Sequence, residues 1–420
     1  MKEQMNVPML RFSEFNNLHS LNNFGKLVSD VTYGPRFSAE DYSNIGNVRT
    51  IRGTDMGLDG EVKYQQVPTA TLDETIVKRH ELKDGDLIMI TTADCGVTSV
   101  YRQQNIKHIC SAYAVKISLK EKADSTYFKY FFQTQKAQYE VSRFIRRATV
   151  SNLPASDIKR VRNYAPELQE QQKIAAFLSK VDEKISLLRE KKSKLTEYKK
   201  GVMQQLFNGK WQQQDGKLVF IPPTLRFKAD DGCEFPDWDE KKLGDVGSVV
   251  SGLTYSPENI AEQGTLVLRS SNIQSDQLSF QDNVYVSADR FNPVKEGDIL
   301  ICVRNGSKNL IGKNTLITAQ AEGMAFGAFM AVYRSKYSYY LQHYFKTDAY
   351  KRNVHRNLGA TINSINGSDL KKFKVSMPSI AEQNKIAAFL SSLDMKIHHT
   401  ISELEKTKQW KKGLLQQMFV

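Results

Sequence analysis

Short clusters of basic, hydroxyl and amide side chains recur at matched places in the two halves of this 420-residue chain. The first half carries Arg49, Thr50 and Arg52 around Gly53, then Thr91 and Thr92, then Arg143, Arg146 and Arg147. The second carries Arg269, Ser270 and Asn272, then Arg304, Asn305 and Lys308, then Arg352, His355 and Arg356. Arg and Lys match the acceptor edge of guanine, Asn matches adenine, and hydroxyls and further cations hold phosphates. The chemistry open to these residues is therefore hydrogen bonding to nucleic acid. Each taken alone reads as a solvated side chain, and the recurrence of clusters is what singles them out. Tyr33 and Tyr255 lie near glycines, where they can stack or bond a phosphate, although a Tyr in a β-rich domain more often packs half-buried.

Groups for bond-making chemistry are missing at the spacings they would need. The cysteines Cys95, Cys110, Cys233 and Cys302 form no C-x-x-C pair to hold zinc and are expected as reduced, mostly packed thiols. Methylation of adenine would call for Asn or Asp followed by two prolines and an aromatic, yet Pro222 and Pro223 follow Ile221 and precede Thr224. Residues 306–315 (GSKNLIGKNT) have phosphate-loop letters, but five residues separate the glycines and Asn314 stands where Ser or Thr would meet Mg2+. Residues 236–241 (PDWDEK) crowd nuclease-like letters into one turn, whereas a metal site draws them from separate strands. An inter-domain loop is expected there. No cofactor or metal site is expected in the chain.

The formal charge of +13, with a pI near 9.3, favours a polyanionic partner. No run of 18 apolar residues occurs and the start, MKEQMNVPMLRFSEF, is polar with an early proline. A cytoplasmic protein with no membrane partner is expected.

The elements that must position these residues announce themselves by repetition. Residues 166–207 return 212 residues later as 378–419, without a gap and with 20 of 42 positions identical. Gly85, Asp86, Leu87 and Ile88 answer to Gly297, Asp298, Ile299 and Leu300 at the same offset. So do Ala148, Thr149 and Val150 to Ala360, Thr361 and Ile362, and Ser156, Asp157, Ile158 and Lys159 to Ser368, Asp369, Leu370 and Lys371. Pro8, Leu10, Arg11 and Phe12 resemble Pro223, Leu225, Arg226 and Phe227 at a slightly different offset. Between these anchors the halves share little. A repeat of this kind means two copies of one structural unit.

Each half reads as a mixed α/β globular domain followed by a helix. Strands are expected at 86–91, 112–117, 298–303 and 328–333, and an aromatic-rich helix at 125–143 with its partner at 338–352. In the repeated segment, positions 174, 178, 181, 185, 188, 192, 195, 199, 202 and 206 step by four and three and hold mostly Ile, Leu and Val. The second copy keeps the steps with Ile386, Leu390, Leu393, Ile397, Thr400, Leu404, Thr407, Lys411, Leu414 and Met418. Such a seam belongs to a long helix packed on another, and the two copies are the obvious mates. Forty residues of helix would span about 60 Å. Lys192 falls on the seam where copy two has Leu404, and the mixed charges around it read as a solvated face. If each domain's ends lie close together, the second helix must return antiparallel to the first. The expected layout is 1–165, a first globular domain; 166–207, a helix; 208–222, a short connection; 223–377, a second globular domain; and 378–420, a second helix, all related by an approximate two-fold axis.

The G-D-[IL]-[IL] strands, the A-T-[VI] turns before S-D-[IL]-K, and the P-x-[LI]-x-E-Q-x-K-I-A-x-x-L openings at Pro166 and Pro378 resemble those of the DNA-specificity subunit of type I restriction-modification systems. The likeness covers nearly the whole chain, in order and twice. It implies that each globular domain is a target-recognition domain reading one part of a split duplex sequence. It also implies that the paired helices set the gap and dock two adenine methyltransferase subunits that use S-adenosylmethionine. Two restriction subunits, using ATP and Mg2+, would complete the assembly, while this chain would perform no chemistry. Gln171, Lys173, Ile174, Phe177, Leu178, Asp182 and Ile185, with Gln383, Lys385, Ile386, Phe389, Leu390, Asp394 and Ile397, recur in both helices and are assigned to helix packing or partner docking.

The residues alone support the same reading. A symmetric dimer sees a palindrome because identical halves touch identical bases; here the frames agree and the inserts do not, so an asymmetric, interrupted target is expected. Two other readings stand beside it. One is the specificity portion of a fused or solitary restriction enzyme, against which the missing catalytic motifs argue. The other is a scaffold that spaces protein partners without reading DNA.

Overall fold

The computed structural model describes residues 7–288, 290–358 and 363–420. It divides into two compact units, residues 1–190 with 401–420 and residues 191–400. The Ala360, Thr361 and Ile362 turn lies outside the described residues.

In the first unit, β1 (Val28–Tyr33), β3 (Leu87–Ile90), β4 (Thr98–Val100) and β6 (Ala114–Leu119) form an antiparallel sheet in the order β1-β6-β3-β4. A second, smaller sheet sets β2 (Val48–Ile51) parallel to β5 (His108–Cys110), with Arg49 opposite His108. Residues 87–90 are buried on both faces, which is why LIMI reads as a continuous apolar run and not as an alternation. Two short helices follow, α1 (Ser125–Gln133) and α2 (Gln135–Ser142). Then comes the long α3 (Leu168–Leu206), whose residues 168–190 belong to this unit.

The second unit takes residues 191–206 of α3 and then a hairpin, β7 (Lys210–Gln214) and β8 (Lys217–Ile221). Its main sheet runs β9 (Ser248–Ser251), β14 (Met330–Arg334), β11 (Ile299–Cys302), β12 (Asn314–Leu316), all antiparallel. The smaller sheet again holds one parallel pair, β10 (Thr265–Leu268) with β13 (Ala325–Phe326). Helices α4 (Ser338–Tyr344), α5 (Asp348–Arg356) and the first part of the long α6 (Ile380–Met418), to residue 400, complete the set; the rest of α6 belongs to the first unit. The main sheets of the two units repeat one order strand for strand, while the smaller sheet has three strands in the first unit and four in the second and shares the one parallel pair.

The expected aromatic helices are each broken in two. Thr134 ends α1 and caps α2, its hydroxyl accepting from the Ala137 amide at 3.1 Å and donating to the Phe131 carbonyl at 2.7 Å. Thr347 does the same between α4 and α5, with Tyr350 and Tyr344. A threonine that serves both the last carbonyl of one helix and the first amides of the next makes a sharp turn stable where apolar periodicity suggests continuity.

The long helices keep their seam. Ile174, Leu178, Val181, Ile185 and Leu188 are buried in the core of the first unit with Leu404, Leu414, Leu415 and Met418. In the second unit Val202, Met203 and Leu206 are buried with Ile386, Leu390 and Leu393; Ile397 is half-buried. Pairing in the first unit is antiparallel: the Phe177 and Trp410 rings lie 6.1 Å apart and Lys184 pairs with Glu403 at 3.2 Å, so one number falls as the other rises. Lys192 is exposed, as the solvated-face reading expects. The seam hydroxyls Thr400 and Thr407 are satisfied by the carbonyls of Lys396 and Glu403, each at 2.8 Å.

Two stretches depart from expectation. Residues 208–222 are more than a connection: Asp215 and Gly216 take positive φ of 49° and 74°, the geometry of a two-residue hairpin turn, and Trp211 faces Phe220 across it. Residues 236–241 are a loop only as far as Trp238. Trp238 is 1% exposed and donates to Glu382 at 3.0 Å, and Asp239–Lys242 is a strand paired with Lys374–Met377.

Candidate nucleic-acid interface

In both units the central strand of the main sheet ends at a main-chain clamp. After β3, the Leu153 amide donates to the Thr91 carbonyl at 2.8 Å, the Ala93 amide to Ser151 at 3.1 Å, and Thr92 bridges to Asn152, which bridges in turn to Arg146. After β11, Ile365 donates to Val303 at 2.9 Å, Asn305 to Asn363 at 3.2 Å, and Arg304 bridges to Ser364. Thr92 and Arg304 therefore occupy equivalent places, 212 residues apart, on equivalent backbones. Arg146 and Thr92 are joined through Asn152, and Arg146 is 75% exposed with Asp157 at 3.9 Å.

The smaller sheet delivers a second group to the same end. Arg52 folds back on the buried Asp55, with bonds of 3.1 and 2.9 Å that raise its guanidinium pKa, and the Gly53 turn lies against Ile90 of β3. Arg269 and Asn272 form the matching turn: the Asn272 oxygen accepts from the Arg269 amide at 2.9 Å, and the guanidinium pairs with Asp282 at 3.0 Å. Asn305 donates to the Ser270 hydroxyl at 3.2 Å, which ties the Arg269 group to the Arg304 group. Arg304 and Lys308 are exposed.

Some candidates serve the fold instead. Thr50 and Asn272 are fully buried, and Thr91, 1% exposed, donates to the Tyr113 carbonyl at 3.0 Å. Asn272 holds the carbonyls of Ser279 and Asp282. Arg49 is half-buried with a 3.3 Å bond to the Tyr64 carbonyl, and Arg143 is tied to Glu140 at 2.9 Å. Arg147, Arg352, His355 and Arg356 are exposed. The last three lie on α5, where Arg352 lines a groove of about 510 Å3 with Lys199, Lys200, Lys346 and Lys351. Burial lowers the Lys346 pKa. Tyr33 is 40% exposed and its hydroxyl accepts from the Ala155 amide, so it braces the chain beside the clamp.

No thiol is poised for attack among these residues. Burial pushes the pKa of Cys95, Cys110 and Cys302 up, and the Cys95 thiol donates to the Thr91 carbonyl at 3.1 Å. Among the described residues no group of His, Cys, Asp or Glu could hold a metal ion, and no helix is long and apolar enough to cross a membrane.

The repeated helix residues bind their own domains. Gln171 donates to the Pro166 carbonyl and Gln383 to that of Pro378, at 2.8 and 2.7 Å. Lys173 pairs with Glu14 and lies 5.0 Å over the Phe12 ring, while Lys385 donates to the Lys228 carbonyl at 2.7 Å. Phe177 packs on Phe12, and Phe389 on Phe227. Asp182 pairs with Lys411 at 2.7 Å, and the repeat-related Asp394 pairs with Lys199.

The residues most central to this frame escaped the sequence reading. Glu170 and Glu382, 2% and 0% exposed, each receive a two-pronged guanidinium, from Arg11 and Arg226. Both arginine pKa values are raised by these bonds. The signal was present in the repeated P-x-L-R-F and P-x-[LI]-x-E motifs, which pattern alone gives no reason to join.

Comparison with known proteins agrees with this frame. The family model of the type I restriction modification DNA specificity domain matches twice, over residues 27–197 and 236–406, and the chain belongs to that family. The chain is 30% identical over 186 residues to the StySPI type I restriction enzyme specificity subunit of Salmonella potsdam. That match takes in 41% of this chain and only 39% of the relative. A MjaVIII specificity subunit of Methanocaldococcus jannaschii is 26% identical over 74% of this chain and 73% of its own length. The fold is shared with the crystal structure of a type I restriction-modification S subunit from M. genitalium, at a TM-score of 0.59 and 16% identity over 99% of both chains.

Proposed function

We propose that this protein is the non-catalytic DNA-recognition subunit of a type I restriction-modification complex, reading an asymmetric, interrupted duplex target. Residues 1–165 and 223–377 act as target-recognition domains, each reading one part of the target. The helical regions 166–207 and 378–420, with 208–222 between them, provide the frame on which two adenine methyltransferase subunits are positioned, with restriction subunits where the system has them. The observation that carries this reading is the pair of equivalent strand ends. One backbone frame presents Thr92 and Arg146 in one unit and Arg304, Asn305 and Lys308 in the other, so the halves offer different donors to different bases. The excess positive charge supplies attraction to phosphates without sequence preference.

The test is selection of randomised duplexes by the full chain purified with its methyltransferase, together with mapping of methylated adenines in a host that carries both. One split sequence with unlike halves is expected. Absence of enrichment with the methyltransferase bound would leave the scaffold reading in its place.

A further inference from the structure

We infer that Tyr113 and Phe329 are paired base-stacking residues, each laying its ring on a nucleobase whose own stacking is broken in one half of the target. The inference rests on the DNA-recognition reading and adds a mode of contact to it.

Both residues occupy the third position of the same turn. Tyr113 lies between β5 and β6, in a turn closed by the Ala114 amide on Ser111 at 3.0 Å; Phe329 lies between β13 and β14, in a turn closed by Met330 on Gly327 at 2.8 Å. Each turn links the parallel strand of the small sheet to the main sheet, beside the clamped strand end. The carbonyl of Tyr113 accepts from the Thr91 amide at 2.9 Å, and that of Phe329 from Val303 and Arg304 at 3.0 and 3.1 Å.

The backbone is held from the other side as well. Gly34 and Gly252 approach so closely that an added Cβ would stand 2.0 Å from the Cys110 carbonyl oxygen and 2.2 Å from that of Gly327. Only glycine permits this contact, so each turn is fixed by main chain on both flanks. The rings on these fixed turns are mostly open to solvent. Tyr113 is 65% exposed and Phe329 58%. Among the described residues neither ring stacks on another aromatic ring, and the Arg304 guanidinium lies 5.7 Å from the Phe329 ring.

Scattered exposed aromatics are ordinary. A rigidly presented, exposed aromatic at the same position of the same turn in both units is different, because the side chains between the anchors are otherwise unlike. A flat ring beside a cation matches a nucleotide, which offers an aromatic face and an anionic phosphate. Aromatic stacking tolerates any base. These rings would therefore anchor each half-site while Thr92, Arg304 and their neighbours select it. Proteins that insert apolar side chains at base steps use the same physics to stabilise a locally unstacked duplex.

The test uses the full chain purified with its methyltransferase and the duplex it enriches. Tyr113→Ala and Phe329→Ala are each expected to weaken binding roughly 5- to 100-fold, the range of one lost base–aromatic contact. Thermal stability should not move. Tyr113→Phe and Phe329→Tyr should bind as the parent does, and Phe329→Leu, apolar but without a flat face, should behave as the Ala variant. Parental affinity in both Ala variants, or a loss matched by a fall in melting temperature, overturns the stacking role and leaves recognition intact. If the unaltered chain enriches no sequence, the recognition reading fails and stacking fails with it.

Discussion

The two units hold the same frame with different partners at the same points. In the first, the buried Glu170 receives Arg11 and the ring nitrogen of His19 at 3.4 Å; in the second, Glu382 receives Arg226 and the indole of Trp238 at 3.0 Å. Where Tyr130 donates to Asp182 and Ser179 in the first, His343 meets Ser391 at 3.3 Å in the second. The carboxylates, arginines and lysines of the frame are repeated, whereas the neutral groups around them are exchanged. The charged pairs are the part that cannot drift singly, because removing one partner leaves the other buried and unpaired.

The largest expected effect breaks that rule deliberately. Glu382→Ala strands Arg226 and should cost about 3–5 kcal/mol, and Glu170→Ala should do the same for the first unit. Hydrogen exchange should show the loss confined to the unit that carries the substitution; a uniform loss would mean the units do not stand separately.

Next comes the difference between the strand ends. Arg304→Ala should relax base preference at one target position by about 1–3 kcal/mol, while Thr92→Ala should alter the other half only. Selection profiles that stay unchanged would remove both residues from the interface.

The repeated ion pairs sharpen the symmetry. Double-mutant cycles on Lys199 with Asp394 and on Asp182 with Lys411 should return similar coupling, about 1.5 kcal/mol each, since both pairs are partly buried and charge-assisted. Unequal values would show that the repeat has relaxed at one end.

The smallest effect is the pH dependence that His343 gives the second unit; burial also lowers the pKa of His19, His80 and His108 in the first. Burial holds His343 in the second unit near a pKa of about 3, well under its ordinary 6.5, so the folded state refuses a proton that the unfolded chain accepts. The contribution is fully present above pH 6.5 and is lost as pH falls from there toward 3. At pH 5.5 the second unit should be weaker by about 1.4 kcal/mol than at pH 7.5. Tyr130 occupies the equivalent place in the first unit, and His343→Tyr should flatten the decline. The facing groups on the neighbouring elements are Lys199, Lys346 and Asp394.

Much of the frame was legible because repetition and seam spacing are long-range signals. The antiparallel pairing, the paired domains and the solvated Lys192 followed from them. The breaks at Thr134 and Thr347 were hidden, since aromatic periodicity continues across a buried cap. The hairpin at 210–221 carried a readable Asp215-Gly216 turn inside a stretch taken for a tether. At the strand ends, the clusters were legible but not the direction of each side chain. Thr50 on β2 and Asn272 in its turn are fully buried, because strand packing and capping decide which member of a cluster meets solvent.

One consequence of the clamp concerns how such a protein changes over generations. Asn152 and Ser364 bridge to positions 92 and 304 through main chain, so the clamp itself places no demand on the side chains there, of which Thr92 is half-buried and Arg304 exposed. On the DNA-recognition reading proposed above, polar substitutions at these two positions should change base preference while leaving the clamp in place, so new preferences lie within reach of single codon changes.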